Sequence, residues 1–205
     1  MNDSVSTHPK QPLIISIILI LCVMQPLLFG WAALETTFQY PLLHESWRFI
    51  SAHITHVDTL HFITNLLALV LLHHLFPMSN KALLMTVTAA TVSINVLLVS
   101  LQIPEYAGLS GILYAYLGCI VGLWFKSGEI TKAVLSILGI ATYTLIISPM
   151  DIAQSHDHFK PLFEAHFVGF MSGLLASWFH QNQQLSKTSN AGKYENNPLQ
   201  SSEDV

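Results

Sequence analysis

Six stretches of the chain are almost free of charge and rich in Leu, Ile, Val, Phe and Ala. They run roughly over 12–34, 60–77, 82–102, 108–126, 132–149 and 162–180. Each is close to the roughly 20 residues that a helix needs to cross a hydrocarbon core. Short polar breaks separate several of them: Pro77-Met78-Ser79-Asn80-Lys81, Pro104-Glu105 and Lys126-Ser127-Gly128-Glu129. The connection from Pro149 to Pro161 is longer and carries Asp151, His156, Asp157 and His158. The pattern predicts an all-α membrane protein of six transmembrane helices. Its expected parts are a short tail over 1–11, a six-span membrane domain over 12–181 and a disordered tail over 182–205, where the chain turns polar.

The first apolar stretch has a second reading, as a signal peptide. Its run exceeds the usual core of about 7–15 residues, and no small-x-small cleavage site is evident, so an uncleaved span is the expectation. Between Glu35 and Thr59 lies a long first loop with Phe38, Tyr40, Trp47 and Phe49 around Arg48. Aromatics of this kind favour the headgroup zone, which predicts short helices lying in the outer interface.

Composition sharpens the picture. The 205 residues are 52% hydrophobic and 10% charged, against about 25% charged in soluble proteins. So little charge does not cover a water-facing surface. The net charge of -4 is unclustered and gives no sign of nucleic-acid binding. Two cysteines, Cys22 and Cys119, both fall in apolar runs and read as packing residues, with no disulfide framework. With a cytoplasmic amino terminus, Lys10, Lys81, Lys126, Lys132, Lys187 and Lys193 lie inside, and only Arg48 and Lys160 lie outside. That asymmetry follows the positive-inside rule, so both termini are expected in the cytoplasm.

This alternation places the amino-terminal ends of the second, fourth and sixth spans on one face. His61 and Asn65 open the second, Ser110 opens the fourth within Gly108-Leu109-Ser110-Gly111, and His166 lies near the start of the sixth. Polar and ionisable groups within spans are rare and usually functional. Serine needs a base to act as a nucleophile at neutral pH, and a neutral imidazole within reach suffices. No aspartate is placed to orient His166, so the residues suggest a Ser–His dyad. His61 and Asn65, four apart, share a helix face and suit an oxyanion hole. Gly108 and Gly111 permit a sharp turn and close approach of a substrate backbone. Each feature has a plainer reading. Gly-x-Ser-Gly serves helix packing, His166 can bond a neighbouring helix, and His61 with Asn65 can face water at a helix start. Tyr114, one turn after Ser110, can stack on His166 or sit as an interface aromatic. Gly118 with Gly122 and Gly169 with Gly173 are small pairs four apart that would let the fourth and sixth helices approach closely.

Taken together these residues resemble the rhomboid family of intramembrane serine proteases. Trp47-Arg48-Phe49 followed by His53, His56, His61 and Asn65 is similar to the family's first loop and second span. Gly108-Leu109-Ser110-Gly111 with Tyr114 resembles its nucleophile helix, and Ala165-His166 through Gly169 and Gly173 its base-bearing helix. The resemblance covers roughly residues 12–180 and implies a compact six-helix rhomboid-like bundle. It implies Ser110 as nucleophile, His166 as base, and His61, Asn65 and the Ser110 amide as oxyanion donors. It further implies Tyr114 packed on His166, a lid made by the fifth span and the following loop, and no cofactor or metal. Transmembrane protein substrates, the lipid bilayer and a bacterial inner membrane are the implied setting, with the site open to the outer face. With neither a soluble amino-terminal domain nor a seventh span expected, the form and its Ser51-Ala52-His53-Ile54-Thr55-His56 run look like the rhombosortase branch. That branch implies substrates with a carboxy-terminal Gly-Gly motif, an apolar helix and a basic end. One departure stands at the end of the second span, His73-His74-Leu75-Phe76-Pro77, where many bacterial members carry glycine and glutamate. Two other readings compete: a metal-dependent membrane hydrolase or metal transporter built on the loop histidines, and a non-catalytic relative that binds membrane clients. No His-Glu-x-x-His motif supports the former.

Overall fold

A computed structural model describes residues 13–29, 36–41, 45–142 and 162–195. Among them the helices are α1 (Leu13–Phe29), α2 (Arg48–Ser51), α3 (Thr59–Leu75), α4 (Asn80–Ser100), α5 (Ser110–Lys126), α6 (Ile130–Thr142) and α7 (Phe163–Glu195). By length and apolarity α4 alone among these meets the full requirement for a span, and α1, α3, α5 and α6 are shorter apolar helices. Residues 143–161, which include the end of the expected fifth span and the Pro149–Pro161 connection, lie outside the described residues. The last helix runs to Glu195, past residue 182 where a disordered tail is expected.

Helix starts are set by side chains that occupy free backbone N–H groups. Asp58 precedes α3 in extended conformation, and its carboxylate accepts from the His61 amide at 2.8 Å. Ser79 does the same for α4 through the Ala82 amide. The first of these caps fixes the turn that carries His61.

The bundle is built around α5, which is buried almost without interruption from Gly111 to Gly122 and touches α3, α4, α6 and α7. Its closest neighbour is α7, running parallel to it. A Cβ at Gly118 would overlap the Phe170 carbonyl, one at Gly169 the Gly111 carbonyl, and one at Gly173 the Ala115 carbonyl. At the far end Lys126 Nζ donates to the Ser177 carbonyl at 2.9 Å and lies over the Trp178 ring. Helix α4 presents the stripe Ala82, Leu83, Thr86, Ala90, Ile94 and Leu98 to this pair. Outward-facing positions are apolar as well, among them Leu21, Leu67, Val96, Leu138, Leu175 and Trp178. A core of small residues inside an apolar sheath is the arrangement lipid favours.

Two features add to the expectations. The fold is not purely helical: β1 (Phe38–Gln39) and β2 (Glu105–Tyr106) pair antiparallel, Phe38 opposite Tyr106. Parts of the first loop are also buried against the bundle. Phe38 is fully buried and packs on Phe49 at 6.0 Å, and Arg48 is 5% exposed. The Arg48 guanidinium donates to Glu45 at 2.6 Å and to the Thr37 carbonyl at 2.7 Å. Asn95 of α4 donates to the Phe49 carbonyl, and Gln25 of α1 accepts from the His56 amide. A loop whose polar groups are satisfied in this way can be buried, and of the four aromatics only Trp47 and Tyr40 stay exposed.

The helix seam makes a measurable demand. Gly118→Ala should destabilise the protein by about 1–3 kcal/mol through overpacking, lowering its unfolding midpoint in detergent. Gly139→Ala on α6, where an added Cβ meets nothing within 4 Å, should leave the midpoint unchanged or raise it. Equal behaviour of the two variants would contradict the seam.

Candidate active site

Ser110 is the first residue of α5, and His166 sits one turn into α7. Because the two helices are parallel and in backbone contact, both residues lie at the same end of the bundle. Ser110 Oγ and His166 Nε2 are 2.8 Å apart, hydrogen-bond distance for a hydroxyl on an imidazole. The Tyr114 ring stacks on His166 at 4.4 Å with the planes 2° apart. Phe163 meets the same imidazole edge-on at 6.3 Å. Nδ1 of His166 is buried and has no hydrogen-bond partner, so aromatic packing rather than a carboxylate orients this ring.

Gly108 has φ of 136°, a backbone conformation that glycine adopts without strain. A Cβ there would lie 2.9 Å from His61 Cε1 and 3.0 Å from His61 Nε2. The His61 imidazole therefore rests directly on the turn that leads into Ser110. A side chain at either Gly108 or Gly111 would meet the protein itself. His61 lies against the first, and Ile94, Tyr106 and the Gly169 backbone surround the second. Asn65, one turn below His61, is 7% exposed, and its Nδ2 has no partner.

The turn before Ser110 is clamped from both sides. The Gly108 amide donates to the Ala52 carbonyl at 2.9 Å, and the Tyr106 hydroxyl donates to the Gly108 carbonyl at 3.1 Å. His53 packs edge-on against Tyr106 at 5.4 Å, and His56 against His61 at 5.3 Å. Through these contacts the first loop props both the serine turn and the His61 ring. Tyr106 and Gln25 carry no motif signal, and their roles were not legible in the sequence.

His73, in the stretch that departs from the family pattern, also has a structural partner. The Tyr116 hydroxyl donates to the Phe76 carbonyl at 2.7 Å and lies 3.2 Å from His73 Nδ1. This ties the far end of α3 to α5, while Phe76 packs edge-on against Trp124 at 5.3 Å. Among the described residues no group of three or more His, Cys, Asp or Glu side chains converges to hold a metal. The His156-Asp157-His158 stretch lies outside them.

An apolar-sheathed helical bundle that holds a serine hydroxyl against an imidazole has the geometry of a membrane-embedded hydrolase. The sequence matches the Rhomboid domain over residues 43–183, and the chain belongs to the rhomboid family. That family consists of integral membrane proteins that are generally intramembrane serine proteases acting on transmembrane substrates. No curated protein matches the chain.

The first-loop histidines give the protein a pH signature. Burial pushes the imidazole of His53 down to about 4, a shift only partly offset by Asn95 beside it. Burial, reinforced by the neighbouring His61, likewise pushes His56 down to about 4. Both stay neutral in the folded state until the pH nears 4, while the unfolded chain takes up protons near 6.5. The unfolded state thus binds more protons below about 6.5, and stability falls as the pH drops from there toward 4. The loss approaches roughly 3 kcal/mol per imidazole. Thermal unfolding in detergent should show this decline, and His53→Gln should show a shallower one. Identical slopes would refute the assignment.

Proposed function

We propose that this chain is a serine endopeptidase that cleaves a peptide bond in or near the transmembrane segment of a membrane-anchored protein, using Ser110 and His166 as a dyad. The observation that carries this reading is the 2.8 Å contact between the two side chains. In the first step the Ser110 hydroxyl attacks the scissile carbonyl carbon and His166 Nε2 takes the proton. The carbonyl π electrons move to oxygen. His61 and Asn65, with the Ser110 amide at the free start of α5, donate to that oxyanion. The unpartnered Asn65 Nδ2 suits the role, because a buried donor without a partner is costly unless a ligand or developing charge satisfies it. Collapse of the intermediate breaks the C–N bond as His166 returns its proton to the leaving amine. Water, activated by the same imidazole, then releases the acyl-enzyme. Tyr114 holds the imidazole in register throughout.

The proposed setting has six spans in a bacterial inner membrane, both termini cytoplasmic and the site open to the outer face. The lysine asymmetry and the shared end of Ser110, His61 and His166 support it. Small residues flanking the cleaved bond fit a mechanism in which a substrate helix must open locally. The Ser51–His56 run supports the rhombosortase branch, and with it substrates ending in a Gly-Gly motif, an apolar helix and a basic tail. The side-chain contact favours catalysis over a purely client-binding relative, which has no need of it.

Co-expression with tail-anchored exported proteins tests this reading. Cleavage should fall by about 10⁴-fold or more in Ser110→Ala. It should fall by about 10²–10³-fold in His61→Ala or Asn65→Ala, mainly in kcat. Cleavage by Ser110→Ala at the wild-type rate would overturn the assignment.

A further inference from the structure

On the flank of the bundle away from the serine, a groove of about 490 Å³ runs between α4 and α7, lined by Leu84, Ala89, Ser172, Leu175, Ala176 and Phe179 among others. It lies within the stretch of α4 that is long and apolar enough to span a bilayer, so its walls face hydrocarbon. Its polar lining is muted, since the buried Ser172 hydroxyl donates to the Gly169 carbonyl of its own helix at 2.7 Å. The two helices run antiparallel, which brings the Leu84 end of the groove to the level of Phe179.

One cation stands at that end. Lys81 is exposed and stands three residues before Leu84, on the same helix face as Leu84 and Met85. Trp178, next to Phe179 in the chain, is exposed at the same level. Tryptophan and lysine together mark the headgroup level of a membrane. An apolar trough that ends at a cationic rim complements an amphiphile with one negative head. Basic pockets between spanning helices on the cytoplasmic side are recognised sites for anionic headgroups.

We propose that this groove is a binding site for an anionic phospholipid, with an acyl chain along α4 and α7 and the phosphate headgroup at Lys81. The assignment rests on the membrane setting proposed above but not on the protease chemistry. Its test therefore measures lipid retention, which needs no catalysis. The full chain is placed in nanodiscs of mixed phosphatidylcholine and phosphatidylglycerol, released gently and weighed by native mass spectrometry. One phosphatidylglycerol should be retained in preference. Lys81→Gln should reduce that preference about fivefold, the worth of one lysine near an anionic surface. Ala89→Phe, which fills the groove from its lipid-facing side, should abolish retention of either lipid while the unfolding midpoint stays that of wild type. Equal retention of the two lipids, or retention unchanged in Ala89→Phe, would overturn the site. So would efficient disulfide dimerisation of Thr88→Cys in the same nanodiscs, because a second copy would then cover the groove. Loss of protease activity with retention intact would bear only on the dyad.

Discussion

A serine hydroxyl and an imidazole on different helices touch only if the helix backbones come closer than ordinary side chains allow. In lipid there is no hydrophobic drive to push them together, and close packing of small residues takes its place. The seam between α5 and α7 supplies it. Gly111, Ala115 and Gly118 on one helix meet Gly169, Phe170 and Gly173 on the other through backbone atoms. The distance between Ser110 and His166 is thus a consequence of residues spread over two turns below them, and a shift of an ångström in such a geometry costs catalysis heavily.

The second constraint is the first loop. Buried polar groups must find partners or be held at a cost. Arg48, Ser51 and Thr55 find theirs in the carbonyls of Thr36 and Thr37, which ties the described parts of the loop to one another. Its two buried histidines do not bond through their ring nitrogens. They act as shaped aromatic wedges, one under Tyr106 and one beside His61. The loop thereby braces the Gly108 turn and the imidazole that rests on it. Beneath α3, Tyr116 holds the opposite end of the same helix. The helix that bears His61 and Asn65 is therefore held at its start by the Asp58 cap and ring packing on His56, and at its far end by Tyr116.

The parts legible in the sequence are those encoded by local pattern. Charge-free runs outlined the described helices, and their order pointed to Ser110, His61 and His166 sharing one end of the bundle. The four-residue spacing of glycines anticipated the seam, and the one-turn spacing of Tyr114 from Ser110 anticipated the stack on His166. What escaped depends on contacts between distant segments. The ladder between Phe38 and Tyr106 is two residues long and leaves no periodic trace. The burial of Phe38 and Arg48 reflects partners more than ten residues away. The packing of His61, Ile94 and Tyr106 against Gly108 and Gly111 joins distant segments and leaves no local trace. His73 stood out only as a departure from the family pattern, and nothing in the sequence marks Tyr116 as its partner.

The most direct measurement of the central claim is the rate at which a fluorophosphonate modifies Ser110, followed by mass mapping of the adduct in detergent-solubilised protein. A serine activated by a touching imidazole should react selectively at Ser110, and His166→Ala should slow that reaction by orders of magnitude while leaving the unfolding midpoint near that of wild type. Modification of Ser110 at the same rate with and without the imidazole, or adducts spread evenly over other serines, would contradict the account.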